Sequence, residues 1–257
     1  MSLRLRQLCL VARQLEPVVD DLTAIFDVRV CYRDPLVKHF GLHNAVLPFG
    51  TSFVEVVAPL ADGTAAGRYL ERRGGDGGYM VIFNGDDMER WRNHMGEVGV
   101  RIAASLAHGD YEGLQLHPRD TGGALLEINK TLGGEDLQGP YAPAGPDWQQ
   151  AIRTKRVKRI AGAVLQADDP ERLARRWGEV LAQPASRAGN GRWQVEVGNA
   201  VLRFVEARDG RGEGLAGIDL EVTDPQSITA AATACGCAWD GDAVMVGGVR
   251  FSLQTSR

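Results

Sequence analysis

Along this chain, short runs with apolar residues at every second position give way to stretches with apolar residues three or four apart, and the exchange repeats four times. In the first copy, residues 3–11 alternate like a strand, and 15–27 carry helical spacing behind an acidic first turn. Three short strands follow at 28–33, 43–49 and 52–59. The second copy reads as a strand at 79–85, a helix from Asp87 to about Val98 that breaks at Gly99, and strands near 100–104, 113–118 and 124–130, with a turn at 119–123. Beyond residue 150, 159–166 reads as a strand and 169–182 as a helix with Asp169 as N-cap and Pro170 at its first position. Residues 193–207 form a hairpin turning at Gly198-Asn199. The fourth copy is a strand at 217–224, a helix at 225–235, and strands at 238–241, 243–248 and 249–254.

The expected fold is therefore α+β: four βαβββ units forming two tandem domains with curved mixed sheets. Residues 133–147, with four glycines and three prolines, admit neither strand nor helix, so the domains are set at 1–132 and 154–257 around a linker at 133–153. Two sheets placed side by side leave a cleft, where ligands bind.

Composition adds exclusions. A chain of 257 residues with 44% apolar and 24% charged residues can bury a core without disulfides. No apolar run reaches a signal peptide or a membrane span, which makes a cytoplasmic protein without a membrane partner the expectation. The net charge of −4 leaves neither half a polyanion binder, and the run Arg153, Lys155, Arg156, Lys158, Arg159 lacks interleaved aromatics, so no nucleic-acid partner is expected. Four cysteines are too few for a disulfide scaffold. Cys235-Gly236-Cys237 reads as a helix end closed by a left-handed Gly236 rather than a redox motif, which wants C-x-x-C at a helix start.

The segment LHPRDTGGALLEI at 116–128 resembles the hairpin that closes methylmalonyl-CoA epimerases, and HNAVLPFGTSFVEVVAP at 43–59 is similar to the glyoxalase-like branch of the same vicinal oxygen chelate superfamily, which also includes bleomycin-resistance proteins and extradiol dioxygenases. The resemblance implies a divalent metal held by His, Glu or Gln from the first and last strands of each unit. The matching positions here are Gln7, Glu55, Met80 and Glu127. Oxygen and nitrogen ligands suit a Lewis-acid metal, but a thioether is a poor ligand and Gln7 a weak one, so no cofactor is expected; if a divalent metal binds, Glu55, Glu127 and Gln7 hold it. In the second half the positions fall on Arg159, Arg203, Gly217 and Ser252, a set that binds no metal. That argues against a ring-cleaving dioxygenase, which needs its iron triad there.

Strand alternation places Glu55 and Glu127 on the cleft face beside Phe53, Val57, Leu125 and Asn129. Two carboxylates there form an acid/base pair, or else simply accept hydrogen bonds from neighbouring strands. Gln7, His43, Asn44, Met80 and Asn129 would position a ligand. Arg159 and Arg203 would grip an oxyanion, unless Arg203 pairs with Glu206 or Glu196 at the surface. The expected function is lyase- or isomerase-type proton chemistry by Glu55 and Glu127 on a small polar metabolite. A non-catalytic small-molecule binder of bleomycin-resistance type is the alternative, and a homodimer is possible in either case.

Overall fold

The computed structural model describes residues 2–255 and contains two open, mixed seven-stranded sheets with helices. In the first half the elements run β1 (Leu3–Val11), α1 (Leu15–Phe26), β2 (Leu42–Phe49), β3 (Ser52–Pro59), α2 (Ala65–Arg73), β4 (Gly77–Gly85), α3 (Met88–Glu97), β5 (Ile102–His108), β6 (Tyr111–Leu116), α4 (Pro118–Thr121) and β7 (Leu125–Thr131). The second half follows with β8 (Val157–Ala167), α5 (Pro170–Val180), β9 (Ala185–Arg187), β10 (Trp193–Val197), β11 (Ala200–Glu206), β12 (Gly214–Val222), α6 (Pro225–Ala234), β13 (Ala243–Val246) and β14 (Val249–Thr255). The sheet orders are β2-β3-β1-β4-β7-β6-β5 and β13-β14-β12-β8-β11-β10-β9, so each half carries the same repeat.

Local chemistry explains the boundaries. Thr64, Asp87, Asp169 and Asp224 each accept a backbone N–H of the first turn of their helix, the orphan donors that a short polar side chain satisfies. Gly236 adopts φ 72° after α6, the left-handed close expected there. The two-residue turn Gly198-Asn199 fixes the β10–β11 register, with Val197 opposite Ala200.

Three expectations change. Residues 28–33 form no strand; only Tyr32 bridges to Val46, and Pro35–Phe40 winds into a 3-10 turn begun by Asp34. Likewise 238–241 contributes only the bridge from Trp239 to Val244. Helix α2 is absent from the sequence pattern, since its apolar stripe is just Ala66 and Leu70, completed by the buried stem of Arg73.

By contact density the chain divides into two units, each pairing one βαβββ module from either half. One unit combines the segment up to Gln7 with Tyr79–Ala142 and Gly162–Leu215. Here Trp91, Met95, Leu126, Ile128 and Trp177 are fully buried. Arg176 donates to the carbonyls of Val98 and Asp120, and Trp177 Nε1 donates to Gly122 O at 3.3 Å, so α5 docks on the end of the β6–β7 connection. Gly123, at φ 71°, brings the backbone against the Trp177 ring, where a Cβ would sit 3.4 Å from it.

The other unit combines Leu8–Gly78, Pro143–Ala161 and the chain from Ala216 onward. Its core is aromatic: Phe26 lies 5.6 Å from Phe49 and 5.0 Å from Phe251 between ring centroids. Arg156 donates to the carbonyls of Ala24 and Ile25, closing the C-terminal end of α1. No helix among the described residues is long and apolar enough to cross a membrane.

Candidate functional site

In the first unit the polar centre is built on β7. Register sets Ile82 of β4 and Gln115 of β6 opposite Glu127, with Asn84 and Gly113 opposite Asn129 and Met80 opposite Leu125. Paired residues share a face, so Met80, Ile82, Asn84, Gln115 and Tyr111 line the side to which Glu127 points. Ile128 faces the other way: a Cβ on Gly85 would meet both its Cγ2 and the Trp91 ring of α3.

Glu127 is only 4% exposed and accepts hydrogen bonds from the side chains of Tyr111, Asn129 and Gln115. Tyr111 Oη donates to Oε1 at 2.5 Å, Asn129 Nδ2 donates to the same oxygen at 3.1 Å, and Gln115 Nε2 donates to Oε2 at 3.0 Å. Burial, then the charge and hydrogen bond of Glu127, hold the Tyr111 phenol well above the usual tyrosine range, so it stays a donor. Asn129 Nδ2 also reaches Tyr141 Oη at 3.4 Å, while its own Oδ1 has no hydrogen-bond partner among the described residues.

Gly113 makes this arrangement possible. A Cβ there would lie 2.7 Å from Tyr111 Oη, so the ring lies along its own strand over the bare glycine to reach β7.

Residues 133–142, the first part of the expected linker, make contact with the arginines of β1 and with Asn129. Arg4 donates to the carbonyls of Gly134 and Glu135 and, at 2.9 Å, to Asn84 Oδ1. Arg6 donates to Leu137 O at 2.8 Å with its guanidinium 4.9 Å from the Tyr141 ring centroid. Residues 142–144 and 148–151 are 3-10 turns.

In the second unit Glu55, 7% exposed, lies opposite Val46 and accepts Asn44 Nδ2 at 2.7 Å. Asn44 Oδ1 accepts the backbone N–H of Asp34 at 2.8 Å, tying loop 31–34 to the carboxylate. Phe53, two residues before Glu55, meets Trp148 edge-on at 5.1 Å, and Gly145 lies so close to Tyr32 that a Cβ would come within 2.6 Å of the ring. His43 lies opposite Ala58 and is half-buried.

The structure thus joins Asn44 to Glu55 and Asn129 to Glu127. Gln7 and Met80 are buried on their strands. Arg159 Nε is 2.6 Å from Glu221 Oε2, and Lys158 holds the other oxygen, so a carboxylate of the protein occupies that guanidinium. Arg203 lies opposite Gln194 in β10; Glu196 accepts from Gln194 and Glu206 from Arg208. Among the described residues, no group of three or more His, Cys, Asp or Glu is clustered to hold a metal ion. Both oxygens of Glu127 are engaged by neutral donors. All four cysteines are free, and burial pushes the Cys31 thiol up to about 12.

Sequence reading missed Tyr111, Gln115, Tyr141 and Arg6. Tyr111-x-Gly113-x-Gln115 was a usable signal: three positions on one strand face, with a glycine where a neighbouring ring needs room.

Comparison with known proteins agrees with this architecture. A hypothetical protein from Staphylococcus aureus superposes with a TM-score of 0.70 at 9% identity, over 99% of this chain and 100% of that one. A triple-substituted 4-hydroxymandelate synthase from Streptomyces coelicolor gives a TM-score of 0.73 at 13% identity, over 98% and 92%. At such identities these likenesses show the fold. A component of the A-type ATP synthase of Nanoarchaeum equitans is 22% identical over 156 residues, 58% of this chain, and the match spans only 26% of that protein. The family model for the glyoxalase-like domain matches residues 8–181, more than half of the sequence. With that match and the repeated βαβββ architecture, the chain belongs to the glyoxalase-like domain family of the vicinal oxygen chelate superfamily.

Proposed function

We propose that the protein is an isomerase- or lyase-type enzyme that moves a proton on a small polar metabolite with Glu127, without a tightly bound metal. The observation carrying this reading is the 2.5 Å hydrogen bond from Tyr111 to Glu127 on a buried polar face. Glu127 takes the proton from a carbon next to a carbonyl. Tyr111, kept as a phenol, supplies a hydrogen bond to the carboxylate, and Gln115 and Asn129 fix its orientation. Glu55 serves as an anchor for Asn44 and loop 31–34 rather than as a second base.

One observation favours the alternative of a binding protein without turnover: the donors Tyr111, Gln115 and Asn129 leave Glu127 well satisfied at rest. A panel of small 2-oxo and 2-hydroxy carbonyl compounds incubated in D2O separates the two by NMR. An enzyme incorporates deuterium beside the carbonyl, and Glu127→Gln slows that about 100-fold or more. A binder holds a compound of the panel without incorporation.

A further inference from the structure

We propose that Arg4 and Arg6 form an oxyanion subsite next to Asn129, now occupied by main-chain carbonyls of segment 133–142, and that an anionic group of the substrate displaces that segment on binding. The two arginines are two residues apart in β1, so they project to the same side roughly 6.6 Å apart. Their acceptors include the neutral carbonyls of Gly134, Glu135 and Leu137, all in one strap. Arg4 Nε, buried, has no hydrogen-bond partner among the described residues. Asn84 and Tyr141 then connect the pair to Asn129: Arg4 donates to Asn84 Oδ1, Asn84 Nδ2 reaches Asn129 O at 3.4 Å, and Arg6 packs on Tyr141.

Burial lowers the Arg6 guanidinium to about 10, partly offset by Tyr141, with Arg4 repelling it and Asp136 of the strap attracting it. A buried guanidinium gains more from a charged oxyanion, which it can grip with two parallel N–H bonds, than from a carbonyl. Other contacts of the strap include Ala142 N donating to Thr131 Oγ1 at 3.1 Å, Gly134 N donating to Thr131 O at 2.9 Å, and Tyr141 on Asn129. A carboxylate or phosphate therefore competes for the same nitrogens that keep the strap down. The subsite rests on the proposed proton chemistry only for the orientation of the substrate: its anion at the arginines, its reacting carbon toward Glu127.

The test is hydrogen–deuterium exchange of peptides covering 133–142, with calorimetric titration, using malonate, inorganic phosphate and the neutral malonamide. Malonate or phosphate should speed exchange roughly tenfold, and Arg4→Gln and Arg6→Lys should each weaken binding about tenfold, while malonamide does nothing. The anion that acts identifies the substrate's charged group as carboxylate or phosphoryl. The readout follows anion binding and strap exchange rather than turnover, so it stands or falls whether or not deuterium incorporation depends on Glu127, which separates this inference from the catalytic one. Unchanged exchange with both anions, an equal effect of malonamide, or full affinity in both arginine variants overturns it.

Discussion

The Tyr111 hydroxyl lies 2.5 Å from Glu127 Oε1, and the ring reaches that position only because residue 113 has no side chain. The donor comes from one strand and the acceptor from the next, so strand pairing and a single glycine together fix the geometry of the proposed base. Neither residue is placed by a loop, and the geometry is correspondingly rigid.

Gly113→Ala should therefore be costly. The added methyl would meet the Tyr111 hydroxyl at 2.7 Å, forcing the ring aside and taking a donor from buried Glu127. Overpacking with a lost hydrogen bond is expected to destabilise by about 2–4 kcal/mol. Urea denaturation of the two proteins measures it, and a Gly113→Ala, Tyr111→Phe double variant should recover part of the loss.

Alkaline pH should destabilise the fold through Tyr111. Its folded value is raised above the unfolded tyrosine value of about 10, so the native state holds the proton longer than the unfolded chain does. The stabilisation is complete below about pH 10 and is lost as pH rises through the folded value. Tyr111→Phe should flatten that decline in a melting-temperature series from pH 8 to 11, and ultraviolet titration should find that the variant loses a phenol from those that ionise only on unfolding, with the earlier-ionising ones unchanged.

Arg156→Ala should unfasten the end of α1. Its guanidinium satisfies the Ala24 and Ile25 carbonyls, which the helix leaves without partners. Losing charge-assisted bonds to two carbonyls costs about 1.5–3 kcal/mol, and thermal unfolding should show it, whereas Arg153→Ala should stay within about 0.5 kcal/mol.

The repeat was legible because strand and helix periods alternate cleanly, and capping residues such as Asp87 and Asp169 mark the helix starts. Residues 28–33 misled because a run containing Val28, Val30 and Tyr32 has strand composition, while only Tyr32 finds a ladder partner. The linker was the larger gap. Glycine and proline point away from strands and α-helices, and only the short 3-10 turns at 142–144 and 148–151 form there, but they do not reveal that Tyr141 and Trp148 bury themselves against Asn129 and Phe53. Glu55 and Glu127 could be singled out as strand carboxylates. Their partners, Asn44 for one and Tyr111, Gln115 and Asn129 for the other, depend on which strands pair and in what register, which strand periodicity alone does not reveal.

Deuterium incorporation into an accepted carbonyl compound, followed with and without a chelator for the parent chain and Glu127→Gln, tests the proposed chemistry most directly. Metal-independent proton transfer by Glu127 requires incorporation that survives chelation and falls about 100-fold or more on substitution. Incorporation that vanishes with chelator and returns with a divalent metal, or that persists undiminished in Glu127→Gln, would contradict it.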